Sequence, residues 1–267
     1  MLRRTKSAIR KLEVASGMDR LVVKTMPRGL RKKLVPSYAY YPDRTSSYEV
    51  DGVRWQINPS LLIQHMILQG ECLPTIDLAV EAAAEAPSTI LDVGANIGQF
   101  ALPLARRVSV DTVIHSFEPN PDVFSMLEAH IEDNELREKV VAWQLGLGAE
   151  EVELSLSVPD RNVGAGSLVR SYDHESSQCY SIRVRPLDDF MSENSLPPVS
   201  FIKVDVEEFE NEFIQGAAET LDKYKPTLFI ETADSNLDCL EQLLRPFGYQ
   251  KVKRSGIDVL FQDRRAA

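Results

Sequence analysis

The spacing of apolar residues along this 267-residue chain changes twice, and each change marks a different kind of element. Up to about residue 35 apolar and basic residues mix in a helical pattern, broken at Pro27-Arg28-Gly29. From Tyr38 to Pro59 the pattern becomes short strands: Tyr48-Glu49-Val50, then Val53-Arg54-Trp55-Gln56-Ile57, with Asp51-Gly52 between them. Asp-Gly between alternating residues is the strongest short hairpin signal. Residues 60–86 predict two helical stretches, divided near Gly70 and Pro74. Strands and helices then alternate. Apolar runs at 88–93, 113–118, 139–144, 198–205 and 227–231 are interleaved with helical stretches at 100–107, 122–132, 210–221 and 236–247. An insertion separates the third and fourth runs: strand-like 152–158, a polar loop 159–171 and strand-like 181–186. A hairpin of 249–254 with 257–262 closes the chain. This order predicts an α/β fold with a mostly parallel sheet covered on both faces. It also predicts two domains, a helix, hairpin and helical cap over 1–87 and the sheet over 88–267.

Two stretches carry the chemistry. Residues 88–100 read STILDVGANIGQF, an apolar strand, a turn at Gly94 to Gly98 and a helix. Glycines let the backbone turn sharply and let a ligand approach the peptide, and the N–H groups opening the helix are expected to attract an anionic group. A plain strand-to-helix turn would look similar. Residues 113–121, VIHSFEPNP, weigh against that: a second strand ends on Glu118 and breaks at Pro121. An acid at the tip of the second strand of a βαβ unit accepts hydrogen bonds from both ribose hydroxyls of an adenosine. Nicotinamide dinucleotides and S-adenosylmethionine both fit that acid. The glycine spacing separates them, since D-x-G-x-x-x-G has no second glycine where a pyrophosphate would sit. No Tyr-x-x-x-Lys pair of an oxidoreductase follows either, at Tyr38 to Tyr41 or at Tyr180.

Asp92-Val93-Gly94-Ala95-Asn96-Ile97-Gly98 resembles the first motif of class I S-adenosylmethionine methyltransferases. With FEPNP after it and FIKVDVEEFE at 201–210, the chain resembles the FkbM-type methyltransferase family over roughly residues 48–250. The resemblance implies a doubly wound, seven-stranded, Rossmann-like sheet with a C-terminal antiparallel hairpin and S-adenosyl-L-methionine as cofactor. It implies cofactor roles for Asp92, Gly94, Ala95, Asn96, Gly98, Glu118, Asn120 and Leu147. Methyl transfer to an oxygen follows, on a hydroxyl of a sugar, glycan or secondary metabolite. A cap that closes over the cofactor is implied too, with Glu71 and His65 as candidates, and Ser167 of NVGAGSL facing the acceptor. A lone His on an apolar helix face is more often a packed core residue.

Acids stand at four predicted strand ends, Asp92, Glu118, Asp205 and Glu231, where an open α/β sheet gathers its ligands. Asp92 and Glu118 are assigned to the cofactor, leaving Asp205 and Glu231, with Lys203 and Glu207, to face the methyl group and acceptor. A hydroxyl nucleophile needs a base within hydrogen-bond reach, and Asp205 is the preferred one. Strand alternation points Lys203 and Asp205 to one side. Two departures stand out. The usual K-x-D-x-E-G has Glu208 in place of its glycine, and a histidine often found two residues after the final acid is Ala233 here. They keep a second reading open, a module that holds the cofactor without turnover.

Composition narrows the setting. At 43% hydrophobic the chain can fill one large core. Cys72, Cys179 and Cys239, three and well separated, argue against a disulfide framework or zinc site, and no metal is expected. Without a run of ~20 apolar residues or a signal-peptide core, a cytoplasmic protein is expected. The net charge of −10 hides an asymmetry: eleven basic residues against Glu13 and Asp19 put +9 on residues 1–33, leaving −19 elsewhere. That start suits weak contact with an anionic membrane surface, or a solvated helix packed on the acidic body. An acidic body with Trp55 and Trp143 as its tryptophans offers no nucleic-acid platform.

Overall fold

A computed structural model describes residues 14, 17–70, 73–83, 88–159, 166, 168 and 177–264. Glu71, Cys72, Ser167, residues 1–13 and most of the loop 159–171 lie outside the described residues. The chain divides into two compact units, Met1–Pro74 and Thr75–Ala267.

In the first unit, strands β1 (Ser46–Val50) and β2 (Val53–Ile57) pair antiparallel, with Tyr48 opposite Trp55. Asp51 and Gly52 both take positive φ, 53° and 76°, the mirror-image turn that matches strand twist. Alternation puts Val50, Val53, Trp55 and Ile57 inside. Helices Met18–Thr25 and Arg28–Leu34 direct basic side chains at the hairpin's acids: Lys24 Nζ lies 2.9 Å from Glu49 and Arg31 3.0 Å from Asp51. Part of the N-terminal positive charge is thereby paired inside its own unit. His65, on helix Leu62–Gln69, is buried edge-on between Tyr38 and Tyr41 with Gln69 Nε2 3.1 Å from its Nε2. Its ring is a packing element of the first unit.

In the second unit the large sheet is built from β3 (Ser88–Val93), β4 (Thr112–Phe117), β5 (Val140–Trp143), β9 (Val199–Val204), β10 (Thr227–Glu231), β11 (Tyr249–Ser255) and β12 (Asp258–Asp263). Their order is β11-β12-β10-β9-β3-β4-β5, and among the described residues only β12 runs against its neighbours. All six residues of β3 are buried, which is why Ile90, Leu91 and Val93 fall on both of its faces instead of alternating with exposed positions. Helices Leu187–Asn194, Glu210–Gly216, Ala218–Tyr224 and Asp234–Leu244 pack into one apolar cluster with Leu91, Ile202, Leu228 and Phe261.

The insertion forms a small separate sheet: β6 (Gly146–Leu147), β7 (Val152–Pro159) and β8 (Ser177–Arg185), in the order β6-β8-β7. Three expectations are corrected. Helix Leu187–Asn194 has no counterpart in the sequence reading, because eight residues with five polar ones show too little period. The helix expected over 210–221 is two helices hinged at Ala217, the second capped by Asp188, whose carboxylate accepts from the Glu219 and Thr220 amides at 2.8 Å. Strand β9 stops at Val204, so Asp205 is the first residue beyond it, its N–H donating to the Val93 carbonyl at 2.9 Å.

Candidate functional site

The glycine turn after β3 folds onto the tip of β4. The Gly94 and Ala95 amides both donate to the Phe117 carbonyl, at 3.0 and 2.9 Å. Asn96 N–H donates to Glu118 Oε2 at 2.9 Å, Ile97 N–H to the Asn96 side chain at 2.8 Å, and Gly98 N–H to the Ala95 carbonyl at 2.9 Å. Every amide from Gly94 to Gly98 is therefore used inside the turn. The turn itself therefore offers no free amide to a pyrophosphate. The glycines also serve the protein's own packing. Gly94 has φ 78°, and a Cβ there would lie 1.8 Å from the Asp205 carbonyl oxygen. A Cβ on Gly98, φ 93°, would lie 2.1 Å from Leu102. Asn96 takes φ 50° without being glycine, held by its own side-chain bond to Ile97.

Glu118 closes this arrangement. It is 8% exposed, and its second oxygen accepts from the Asn120 amide at 2.9 Å. Burial pushes its carboxyl up to about 7 in spite of those two backbone donors. Asn120 in turn caps helix Pro121–Asp133 through its side chain. Glu118 thus ties the glycine turn to the β4 tip while facing a cleft. Gly94, Asn96, Asn120, Leu147, Asp205 and Glu207 also line that cleft. One wall is apolar, made by Leu145, Leu147, Leu156, Leu168 and Phe209. Asp92, Ala95 and Gly98 stand behind the lining.

Asp92 is fully buried and neither oxygen accepts a hydrogen bond from the described residues. It pairs in register with Lys203 on β9, whose ammonium lies 3.7 Å from Asp92 Oδ1 and 3.0 Å from Asp205 Oδ2. The expected same-side placement of Lys203 and Asp205 is observed. Burial raises the Asp92 carboxyl to about 6, against the pull of Lys203. Two strands along, Glu231 faces Asp258 across the β10–β12 pair, and burial followed by the Asp205 charge raises Glu231 to about 7. Asp205 and Glu207 also line a second cleft, with Glu208, Glu210, Glu231, Thr232, Ala233 and Ile257. Glu207 and Glu208 have φ of 43° and 72°. A glycine at position 208 would adopt that conformation without strain.

The chain's residues 92–251 match the model of the methyltransferase FkbM domain family, more than half its length. The chain belongs to the FkbM methyltransferase family. S-adenosylmethionine is the cofactor of this methyltransferase. Among curated relatives, Methyltransferase 1 of Beauveria bassiana is 29% identical over 168 residues, 57% of this chain and 67% of that one. Hexuronic acid methyltransferase AglP of Haloferax volcanii is 26% identical over 211 residues, 78% of this chain and 77% of that one. The solved structure of methyltransferase FkbM from Methylobacillus flagellatus aligns with a TM-score of 0.48 at 18% identity, covering 90% of this chain. The chain spans 59% of that structure's length.

For this FkbM methyltransferase the site suits S-adenosylmethionine: a buried carboxylate at the turn and an apolar wall. Sequence reasoning missed the wall residues Leu145, Leu156, Leu168 and Phe209, which lie on four separate segments of the chain. A weak signal existed for Phe209: Gly148 must be small, since a Cβ there would meet the Phe209 ring at 2.7 Å. Glu118→Ala tests the turn's anchor. It leaves the Asn96 and Asn120 amides without their acceptor, at ~1–3 kcal/mol each. The melting temperature should fall by several degrees and S-adenosylhomocysteine should bind at least ~10-fold more weakly by calorimetry. An unchanged melt and unchanged affinity would remove Glu118 from the site.

Proposed function

We propose that this protein transfers the methyl group of S-adenosylmethionine to a hydroxyl oxygen of a sugar that bears no carboxylate. The observation that carries this reading is the second cleft, which meets the first at Asp205 and Glu207 and is lined by carboxylates. Glu118, Asn96, Asn120 and the Leu147 wall of the first cleft hold the cofactor, and Asp205, Glu207 and Glu231 of the second face the acceptor, with Lys203 against Asp205. Bound S-adenosylmethionine supplies an electrophilic methyl group, its sulfur keeping the electron pair of the broken bond.

The protein's residues do the rest. The two clefts set acceptor and methyl in line, where positioning lowers the barrier. Asp205 Oδ accepts the hydroxyl proton as the oxygen bonds to carbon, with Lys203 fixing the carboxylate's orientation at 3.0 Å. Carboxylates accept hydrogen bonds from sugar hydroxyls and repel an anionic sugar. AglP's name assigns it hexuronic acid, and its similarity to this chain supports a sugar acceptor. The acidic lining argues that the acceptor here is neutral or carries an amine. Ala233, opening helix Asp234–Leu244 at the cleft wall, leaves room where relatives' histidine would stand.

The test is a panel of methyl glycosides, a neutral hexose, an amino sugar and a hexuronate, assayed with labelled S-adenosylmethionine. Methyl should appear on the neutral or amino sugar, with the hexuronate at least ~10-fold poorer. Preferential methylation of the hexuronate would refute the charge argument, and methyl found on nitrogen would refute the hydroxyl acceptor.

A further inference from the structure

The carboxyl edge of the sheet brings together ionisable groups from adjacent strand tips. Glu118 stands on the tip of β4, Asp92 on β3, Lys203 and Asp205 on and after β9, Glu231 on β10 and Asp258 on β12. Carboxylates outnumber the ammonium in this group, and two of them are nearly or wholly withdrawn from water: Asp92 is 0% and Glu118 8% exposed. Asp92 is the telling member, because a fully buried carboxylate with no hydrogen-bond donor among the described residues is held only at high cost. Lys203, 3.7 Å away and shared with Asp205, compensates it in part. The group is short of positive charge, and it borders the cofactor cleft through Glu118, Asp205 and Glu207.

We propose that this strand-tip group selects the positively charged donor over the neutral product, by giving up a proton when the donor's charge enters and taking one back when that charge is lost. The inference rests on the cofactor assignment above. The charges balance: when the acceptor's O–H bond breaks and its O–C bond forms, the carboxylates receive that proton while the sulfonium charge disappears with the broken C–S bond. The electron pair stays on sulfur. The group therefore sees one positive charge replaced by one proton, and the product is left without the attraction that held the donor.

The elevated carboxyls set the pH window. Glu118 and Glu231 lie near about 7 and Asp92 near about 6, in each case through burial first, with neighbouring carboxylates adding to it. A cation in the cleft lowers all three. Protons must then leave for the cation to bind, so donor affinity rises with pH through this range and levels off above it. For one linked proton on a group near 7, donor affinity should increase about tenfold from pH 6 to pH 8. S-adenosylhomocysteine, without the sulfonium, should bind with nearly constant affinity.

Calorimetry of the full chain tests this. S-adenosylmethionine and S-adenosylhomocysteine are titrated at pH 6, 7 and 8 in two buffers of different ionisation enthalpy, phosphate and Tris at pH 7 and 8. The expected result is proton release with the donor near pH 7, little with the product, and a donor-to-product affinity ratio that climbs about tenfold over the range. Equal proton release for both compounds, or a ratio flat with pH, would overturn the inference and leave the cofactor assignment standing. If neither compound binds at any pH, the cofactor cleft itself is misassigned and the inference falls with it.

Discussion

Gly94→Val is expected to abolish S-adenosylhomocysteine binding and to lower stability by roughly 3 kcal/mol or more. Two separate costs add. At φ 78° a β-branched residue meets the left-handed penalty, ~1–2 kcal/mol. Its Cβ would also start 1.8 Å from the Asp205 carbonyl oxygen, which is backbone and cannot swing aside as a side chain could. Relief requires the β3 turn and the end of β9 to separate. That would break the Asp205-to-Val93 hydrogen bond and shift Asp205, Val206 and Glu207, all of which line the cleft. Thermal melting and calorimetry on the same preparation read both effects. A variant that melts like the parent and binds the product normally would show that the close approach of these two turns does not matter.

Asp205→Asn should separate chemistry from binding. The amide keeps the shape of the carboxylate but cannot take the hydroxyl proton, a loss of ~10² to 10⁴ in turnover for a general base. Affinity for S-adenosylhomocysteine should change little, because Glu118, held by the Asn96 and Asn120 amides, and the Leu147 wall are untouched. The fold should hold as well. Lys203 loses one partner at 3.0 Å but retains Asp92 at 3.7 Å, so its ammonium is not left buried without a counterion. The measurements are turnover on the best sugar of the panel, product affinity, and the melting temperature. Full turnover per folded molecule, with a lowered melt, would reduce Asp205 to a structural anchor for Lys203 and move the search for a base to Glu207 or Glu231.

Much of this protein could be read directly from local pattern. Strand β3 is buried on both faces and so its apolar residues cluster without alternation, and β10 was bounded to the residue. Asp51-Gly52 specified its hairpin because few residues tolerate two positive φ values in succession. D-x-G-x-x-x-G followed by an acid at a strand tip identified the cofactor class, since those residues are close in sequence as well as in space. Lys203 and Asp205 could be placed on one side by alternation alone.

Other features depended on contacts between distant segments, and no local pattern encodes those. The role of Gly94 is set by the backbone of Asp205, more than a hundred residues later, so the sequence could show that a small residue was needed but not what it had to avoid. The Gly94, Ala95 and Asn96 amides are taken by Phe117 and Glu118, because a buried N–H takes the nearest acceptor the fold provides. The apolar wall gathers Leu145, Leu147, Leu156, Leu168 and Phe209 only after the small β6-β8-β7 sheet has formed. The shared charge of Asp92, Lys203, Asp205, Glu231 and Asp258 exists only where β3, β9, β10 and β12 lie side by side. Residue types and their order determined the fold and the cofactor; burial and proximity, which exist only in the folded chain, decided which carboxylates keep their protons.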